Sequence, residues 1–324
     1  MAATSGTAAG TVPDAVRDAP GSRRARGLAS RESLNGLLFI SPWVLGFLAF
    51  TMIPMVASLV LSFTDFDPRS PAQTRFVGLD NYVRMTRDPV LLRSLAVTLR
   101  FVLVLVPATM IAALGIAILV NSTLLRGRNI FRTIFYMPVQ IPLVASTLIW
   151  IGVLNASTGW LNYGLEAVGI PRHDWLNNVS LVHPSLTFMG LWGIGNMMLI
   201  FLAGLQGVPT ELYDAGRVDG AGRIATFRYI TLPMISTVIF YNLVIALIGT
   251  FQYFTQAYLI SNGRGDPDNA TLFFNLNLYR EAFVFYEMGY ASALAWLLFA
   301  IVLTLTMLLF RSARRWVYEG GGER

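Results

Sequence analysis

The chain has 324 residues, 55% of them hydrophobic and 13% charged, with a net charge of +6 and a mean hydropathy of +0.57. Soluble domains carry about 25% charged residues, so this composition marks a membrane protein. The sequence contains neither cysteine nor lysine, which excludes disulfides, thiolate metal sites, thiol nucleophiles and ATP hydrolysis through a lysine-bearing phosphate loop.

Residues 1–34 are rich in Ala, Gly, Ser and Thr, include the run RRAR, and have no apolar signal core before Leu34. They are expected to form a disordered cytoplasmic tail rather than a cleaved leader. Beyond the tail, six intervals free of Asp, Glu and Arg are long enough for the roughly 20 residues that a bilayer-crossing helix needs: 33–64, 101–125, 133–165, 175–210, 229–263 and 288–310. Spans are predicted at 37–63, 101–120, 134–154, 186–205, 234–254 and 290–310. Barrel strands are shorter and alternate in polarity, whereas these segments are continuously apolar. The expected fold is therefore all-α, a six-helix membrane domain over 35–311 followed by a cytoplasmic tail at 312–324.

Six spans put both termini on one side. That side carries 15 arginines and the other eight, with Arg100 at a span edge, so the positive-inside bias makes the termini and the segment between spans 4 and 5 cytoplasmic. Five of the opposing eight crowd into the first outer segment and weaken the bias. The outer segments, 64–93, 155–184 and 257–289, are long enough to offer surface to a partner. Because the arginines are scattered between apolar runs rather than gathered in one groove, no nucleic-acid partner is expected.

The segment between spans 4 and 5, ELYDAGRVDGAGRIATFRYITLP, is charged and helix-like. Thr210 can cap a helix whose first turn places Glu211 and Asp214 at the positive dipole end. Leu212, Ala215 and Gly216 then share one face, and its small residues suit a protein cleft better than a bilayer surface. Asp219-Gly220 breaks this helix, and Ile224, Phe227 and Thr231 start a second stripe leading to Leu232-Pro233. An interfacial connector, with Gly220 as a plain helix stop and Pro233 as the first residue of span 5, reads the same spacing without any partner.

The stretch resembles the EAA loop of ABC importer permeases, whose pattern is E-A-A, three residues, G, nine residues, I, one residue, L-P. Here it reads Asp214-Ala215-Gly216, Gly220, Ile230 and Leu232-Pro233, with Asp214 in place of glutamate and Gly216 in place of the second alanine. PWVLGFLAFTMIPMVASLVLSFTDFD, FVGLDNY, NIFRTIFYMPVQIP, LIGTFQYFTQAYLISNG and FVFYEMGYASALAWLLF are similar, in order, to segments of the maltose-type carbohydrate permeases. The resemblance implies a type I ABC importer fold with a coupling loop at 208–233 that docks on a separate ATPase. It further implies a second homologous permease subunit, two ATP-binding cassette subunits and an extracytoplasmic solute-binding protein, with no cofactor in this chain because ATP is hydrolysed elsewhere.

Spans 2–6 contain no Asp, Glu, His or Arg, so the proton relay of a secondary transporter has no carrier and an uncharged, sugar-like solute is favoured. Asn242, Gly249, Tyr253 and Gln256 lie near one face of span 5, with Asn196 in span 4, and amides beside an aromatic suit a sugar. Gln252 joins this set by resemblance. Amides in membrane helices also serve helix association, and Trp150, Trp160, Trp192 and Trp296 read first as interface or packing residues. A permease for glycerol phosphate esters is the alternative within the class. An intramembrane enzyme is the rival outside it, but His173-Asp174 has no further catalytic or metal-ligand partner at a recognisable spacing.

Overall fold

The computed structural model describes residues 36–122 and 124–318. The tail expected at 1–34 lies outside the described residues, as do residues 319–324. The chain divides into two units, Met1–Ala57 and Ser58–Arg324. Helix α1, Gly36–Leu61, is apolar along its 26 residues. In its first part Trp43 stacks on Phe47, one helical turn away, at 5.6 Å between ring centroids. Pro54 has no N–H to give, and the ladder before it widens into a π-turn at Leu48–Met52, with Ile53 N–H bonding Leu48 O.

In the second unit, α2 (Asp80–Met85) precedes the 33-residue α3, Pro89–Asn121. Span 2 was expected to begin at residue 101; the helix begins 12 residues earlier, because Asp88 caps it through Val90 N (2.8 Å) and Leu91 N (3.2 Å) while Pro89 supplies the fixed φ of a first helical residue. Arg93 and Arg100 thus belong to the helix, and Arg93 reaches Asp268 at 3.8 Å. At about 1.5 Å per residue α3 is roughly 50 Å long, against about 30 Å of hydrocarbon.

Span 3 was expected to be one helix over 134–154. It is instead α4 (Arg128–Tyr136), prolonged by a 3-10 turn to Gln140, and α5 (Leu143–Val153), with a bend of 99° between them. Pro138 and Pro142 withhold two backbone donors, and Ile141, just before Pro142, is extended (φ −80°, ψ 125°) where the helix breaks, while Met137 before Pro138 stays helical. After α6 (Trp160–Ala167), span 4 is likewise two helices, α7 (Val182–Trp192) and α8 (Gly195–Gln206), bent by 53°. Gly195 permits this break to seat against α4: a Cβ there would meet Phe135 O at 2.5 Å and Tyr136 Cα at 2.9 Å.

Helix α9, Thr210–Val218, leads to α10, which runs through Arg223–Thr226, a π-turn at Phe227–Thr231 and Leu232–Met234. The π-turn again lies just before a proline, Pro233. Span 5 follows as α11 (Ser236–Phe251) and, after a three-residue break, α12 (Thr255–Ser261). α13 (Phe274–Tyr279) and α14 (Met288–Ala313) complete the described chain. Among the described residues four helices are long and apolar enough to cross a membrane, and each of the two bent pairs would supply one more span.

Helix α3 is the centre of the unit and packs against α7, α8, α11 and α13. Its buried face, Leu91, Ser94, Val97, Phe101, Leu105, Thr109, Ala113 and Ala117, recurs every three or four residues. Ala113 and Ala117 are fully buried, and their small size brings α3 close to Met198, Phe201 and Leu202 of α8. At the other end, Thr98 Oγ1 accepts from Phe274 N at 2.9 Å, and the rings of Phe101, Tyr253 and Phe273 meet at 4.9–5.0 Å.

The end of α3 remote from α9 is held by polar contacts. Asn81 donates to Ser62 O and Thr64 O, both at 2.9 Å, and Tyr290 donates to Asp88 Oδ2 at 2.7 Å. Arg84 pairs with Glu287 and lies 4.0 Å from the Tyr290 ring centroid. Glu281 is buried beside this cluster, and burial, reinforced by the charge of Glu287, pushes its carboxyl above the ordinary glutamate value.

Candidate functional site: the coupling segment and a membrane cleft

Pro209, not Thr210, takes the cap position of α9; its extended backbone turns the chain, its carbonyl accepts from Leu212 N at 3.3 Å, and Thr210 becomes the first helical residue. Glu211 sits in the first turn as the sequence predicts, and Asp214 pairs with Arg217 at 2.5 Å, both exposed. Asp219 closes the helix and Gly220 adopts φ +76°, so that Gly220 N bonds Arg217 O (3.1 Å) and Ala221 N bonds Gly216 O (2.8 Å). This paired closure requires a left-handed residue, which accounts for glycine at 220.

The two motif halves then fold onto each other. Gly216 is buried, and a Cβ there would stand 2.9 Å from Ile230 Cδ1; Tyr213 Oη lies 3.3 Å from Thr231 Oγ1. The shared docking face expected for Leu212, Ala215 and Gly216 is therefore divided. Leu212 and Ala215 stay exposed with Glu211, Asp214, Asp219 and Gly220, while Gly216 turns inward because α10 returns across it. Ile230, Leu232 and Pro233 are half-buried on that returning helix, and Pro233 lies within it rather than starting span 5. The segment thus presents an acidic, small-residue outer face on a support pinned to the membrane helices.

The stripe expected along span 5 is broken by the turn at 252–254. Asn242 is buried with its Nδ2 unpartnered among the described residues, Tyr253 is enclosed by Phe101 and Phe273, and Gln252 is exposed at the end of α11. Asn196 is exposed on the first turn of α8. Gln256 lines a cleft of about 430 Å³ formed where span 3 bends, and the other four are not part of its lining. Gln140, Ser146, Trp150, Trp192 and Gly193 line it with Gln256, and no charged side chain does. Trp150 meets Trp192 edge-to-face at 5.7 Å and Phe188 at 5.2 Å. Sequence reasoning did not single out Gln140 and assigned the tryptophans to packing. The available signal was the pair of prolines flanking Gln140, since an interrupted membrane helix frees backbone and side chains to line a cavity. Among the described residues no group of His, Asp and Glu is placed to hold a metal ion.

A broken-helix membrane bundle with a polar cleft at the break and a rigid charged segment at one end has the construction of a transport permease. The family model for the binding-protein-dependent transport system inner membrane component matches residues 106–317, and the chain belongs to that family. It is 42% identical over 291 residues to the probable ABC transporter permease protein YesP of Bacillus subtilis, covering 89% of this chain and 93% of that one. It is 31% identical over 289 residues to the arabinooligosaccharides transport system permease protein AraP of the same organism, covering 87% and 90%. A crystal structure of a bacterial ABC transporter involved in the import of the acidic polysaccharide alginate contains a chain of the same fold, with a TM-score of 0.73 at 22% identity, over 91% of this chain and 99% of that one. The all-α, type I importer architecture read from the sequence is therefore the one observed.

Proposed function

We propose that the chain is one of two membrane subunits of an ATP-driven importer for a sugar oligomer, disaccharide or polyol, and that the solute passes the cleft at Gln140 and Gln256. The carrying observation is the lining of that cleft: two amides, a serine hydroxyl and two tryptophans, with no charge. Amides and hydroxyls exchange hydrogen bonds with sugar hydroxyls, and indole faces cover their apolar C–H surfaces. A phosphate ester would call for a cation in the lining. The naming of AraP for arabinooligosaccharides supports the same class.

The partners are a second homologous permease, two ATPase subunits gripping the exposed face of α9, and a binding protein outside. Both termini and the coupling segment face the cytoplasm, a reading supported by the arginine asymmetry. Closure of the ATPases moves α9, and the contact of Gly216 with Ile230 carries that movement into α10 and span 5. Reconstitution with candidate partners in vesicles tests the reading with a panel of labelled solutes. Uptake that needs ATP, the ATPases and the binding protein supports it; uptake undiminished without the ATPases, or labelling of Ala215→Cys from outside intact cells, overturns it.

A further inference from the structure

Two adjoining clefts lie at the α9 end of the bundle, both largely apolar, and only one of them carries arginines. One, of about 370 Å³, lies between the end of α3 and α4 and is walled by Ile116, Leu119, Leu125, Phe131 and Phe135. The other, of about 530 Å³, opens under the coupling segment and is lined by Asn121, Tyr213, Arg217, Arg223, Thr226 and Thr231, among others. They meet at Ser122, which lines both, and among the described residues no acidic side chain lines either. Arg217 is shared with Asp214, whereas Arg223 is exposed and makes no ion pair among the described residues.

We propose that the adjoining clefts hold one anionic phospholipid, with an acyl chain along the apolar cleft and its phosphate diester on Arg223 and Arg217, supplemented by the amide donor of Asn121. Three observations favour a lipid over a protein segment. The apolar cleft meets the arginine-bearing one at Ser122, which matches the order of groups in a phospholipid. The junction lies where α3 ends, at the level where a membrane helix meets headgroups. Exposed Leu119, Leu124 and Ile130 surround the apolar mouth, with Arg126 and Arg128 beside them, so the same two chemistries extend onto the surface. Basic residues near the membrane surface attract anionic headgroups, and the exposed guanidinium of Arg223 is open to one. Held there, the lipid would wedge between the coupling segment and the α3 end.

The test is native mass spectrometry of the full chain, stripped of lipid in detergent and titrated with phosphatidylglycerol or phosphatidylcholine. Phosphatidylglycerol is expected to be retained at least about fivefold more tightly, and Arg223→Gln to remove about that factor. Arg228→Gln, an equally exposed arginine on α10 outside both clefts, should change retention less than twofold. Equal retention of the two lipids, or equal losses in the two variants, overturns the proposal. Displacement of the lipid by millimolar inorganic phosphate overturns it in favour of a free-anion site. Retention is read on the permease alone, so failure here leaves ATPase docking untouched.

Discussion

Gly216 lies beneath Ile230, so close that a Cβ on the glycine would stand 2.9 Å from the isoleucine Cδ1. Ala215, its neighbour, points outward. Two adjacent small residues of one motif therefore meet different demands, one steric and internal, the other open to a partner. Gly216→Val is expected to displace Ile230 and lower stability by about 1–3 kcal/mol, seen as a fall in thermal midpoint. Ala215→Trp should leave the midpoint unchanged and abolish ATPase co-purification. If both variants behave alike, the division of the motif is wrong.

Removing the Gln256 carboxamide takes one hydrogen-bonding group from the span-3 cleft. With a neutral hydrogen bond contributing about 0.5–1.5 kcal/mol, Gln256→Ala should raise the solute concentration for half-maximal transport by about two- to tenfold. Gln140→Ala should do the same. Gln252→Ala lies outside the cleft and is expected to leave that concentration unaltered; a shift with Gln252→Ala alone would move the solute path elsewhere.

Glu281 contributes a pH dependence of definite sign. Its folded-state pKa is raised, by burial first and by Glu287 second, so the folded protein holds the proton more tightly than the unfolded chain. Stability from this group is full below the unfolded glutamate value and declines as pH rises through the raised one. Glu281→Gln should raise the thermal midpoint at neutral pH and flatten its fall across that window. A variant less stable than the parent at neutral pH would refute the assignment.

Asp88 caps α3 and accepts from the Tyr290 hydroxyl at 2.7 Å. Asp88→Ala is expected to cost about 1–2 kcal/mol for the cap, with a further loss from the stranded phenol, while Asp88→Asn recovers most of the cap. Thermal melts of the two variants in one detergent compare them directly.

The number of apolar crossings was legible because charge is expelled from the hydrocarbon, but charge is a poor guide to where helices end. Arg100 bounded the start of the expected second span, whereas Asp88-Pro89, a start signal in plain view, bounds the helix. Pro138, Pro142 and the glycines at 193 and 195 announced the bends in spans 3 and 4, and a purely hydropathic reading passes over them. The turn at 252–254 contains neither Pro nor Gly, so the stripe through Tyr253 and Gln256 had no visible reason to fail. The segment between spans 4 and 5 stood out through its resemblance to the EAA pattern, since its spacing alone also fits an interfacial connector. That Gly216 faces inward was not, since it depends on Ile230 returning across it from fourteen residues away.

Helix α3 has one further implication. Its capped end is tied to the Tyr290 and Phe274 elements, and its other end packs on α8, the helix that runs directly into the turn before α9. A hydrogen-bonded rod of roughly 50 Å neither stretches nor shortens appreciably. In the proposed assembly, a tilt imposed at the capped end of α3 would reappear, as a lever stroke, at its other end beside α9.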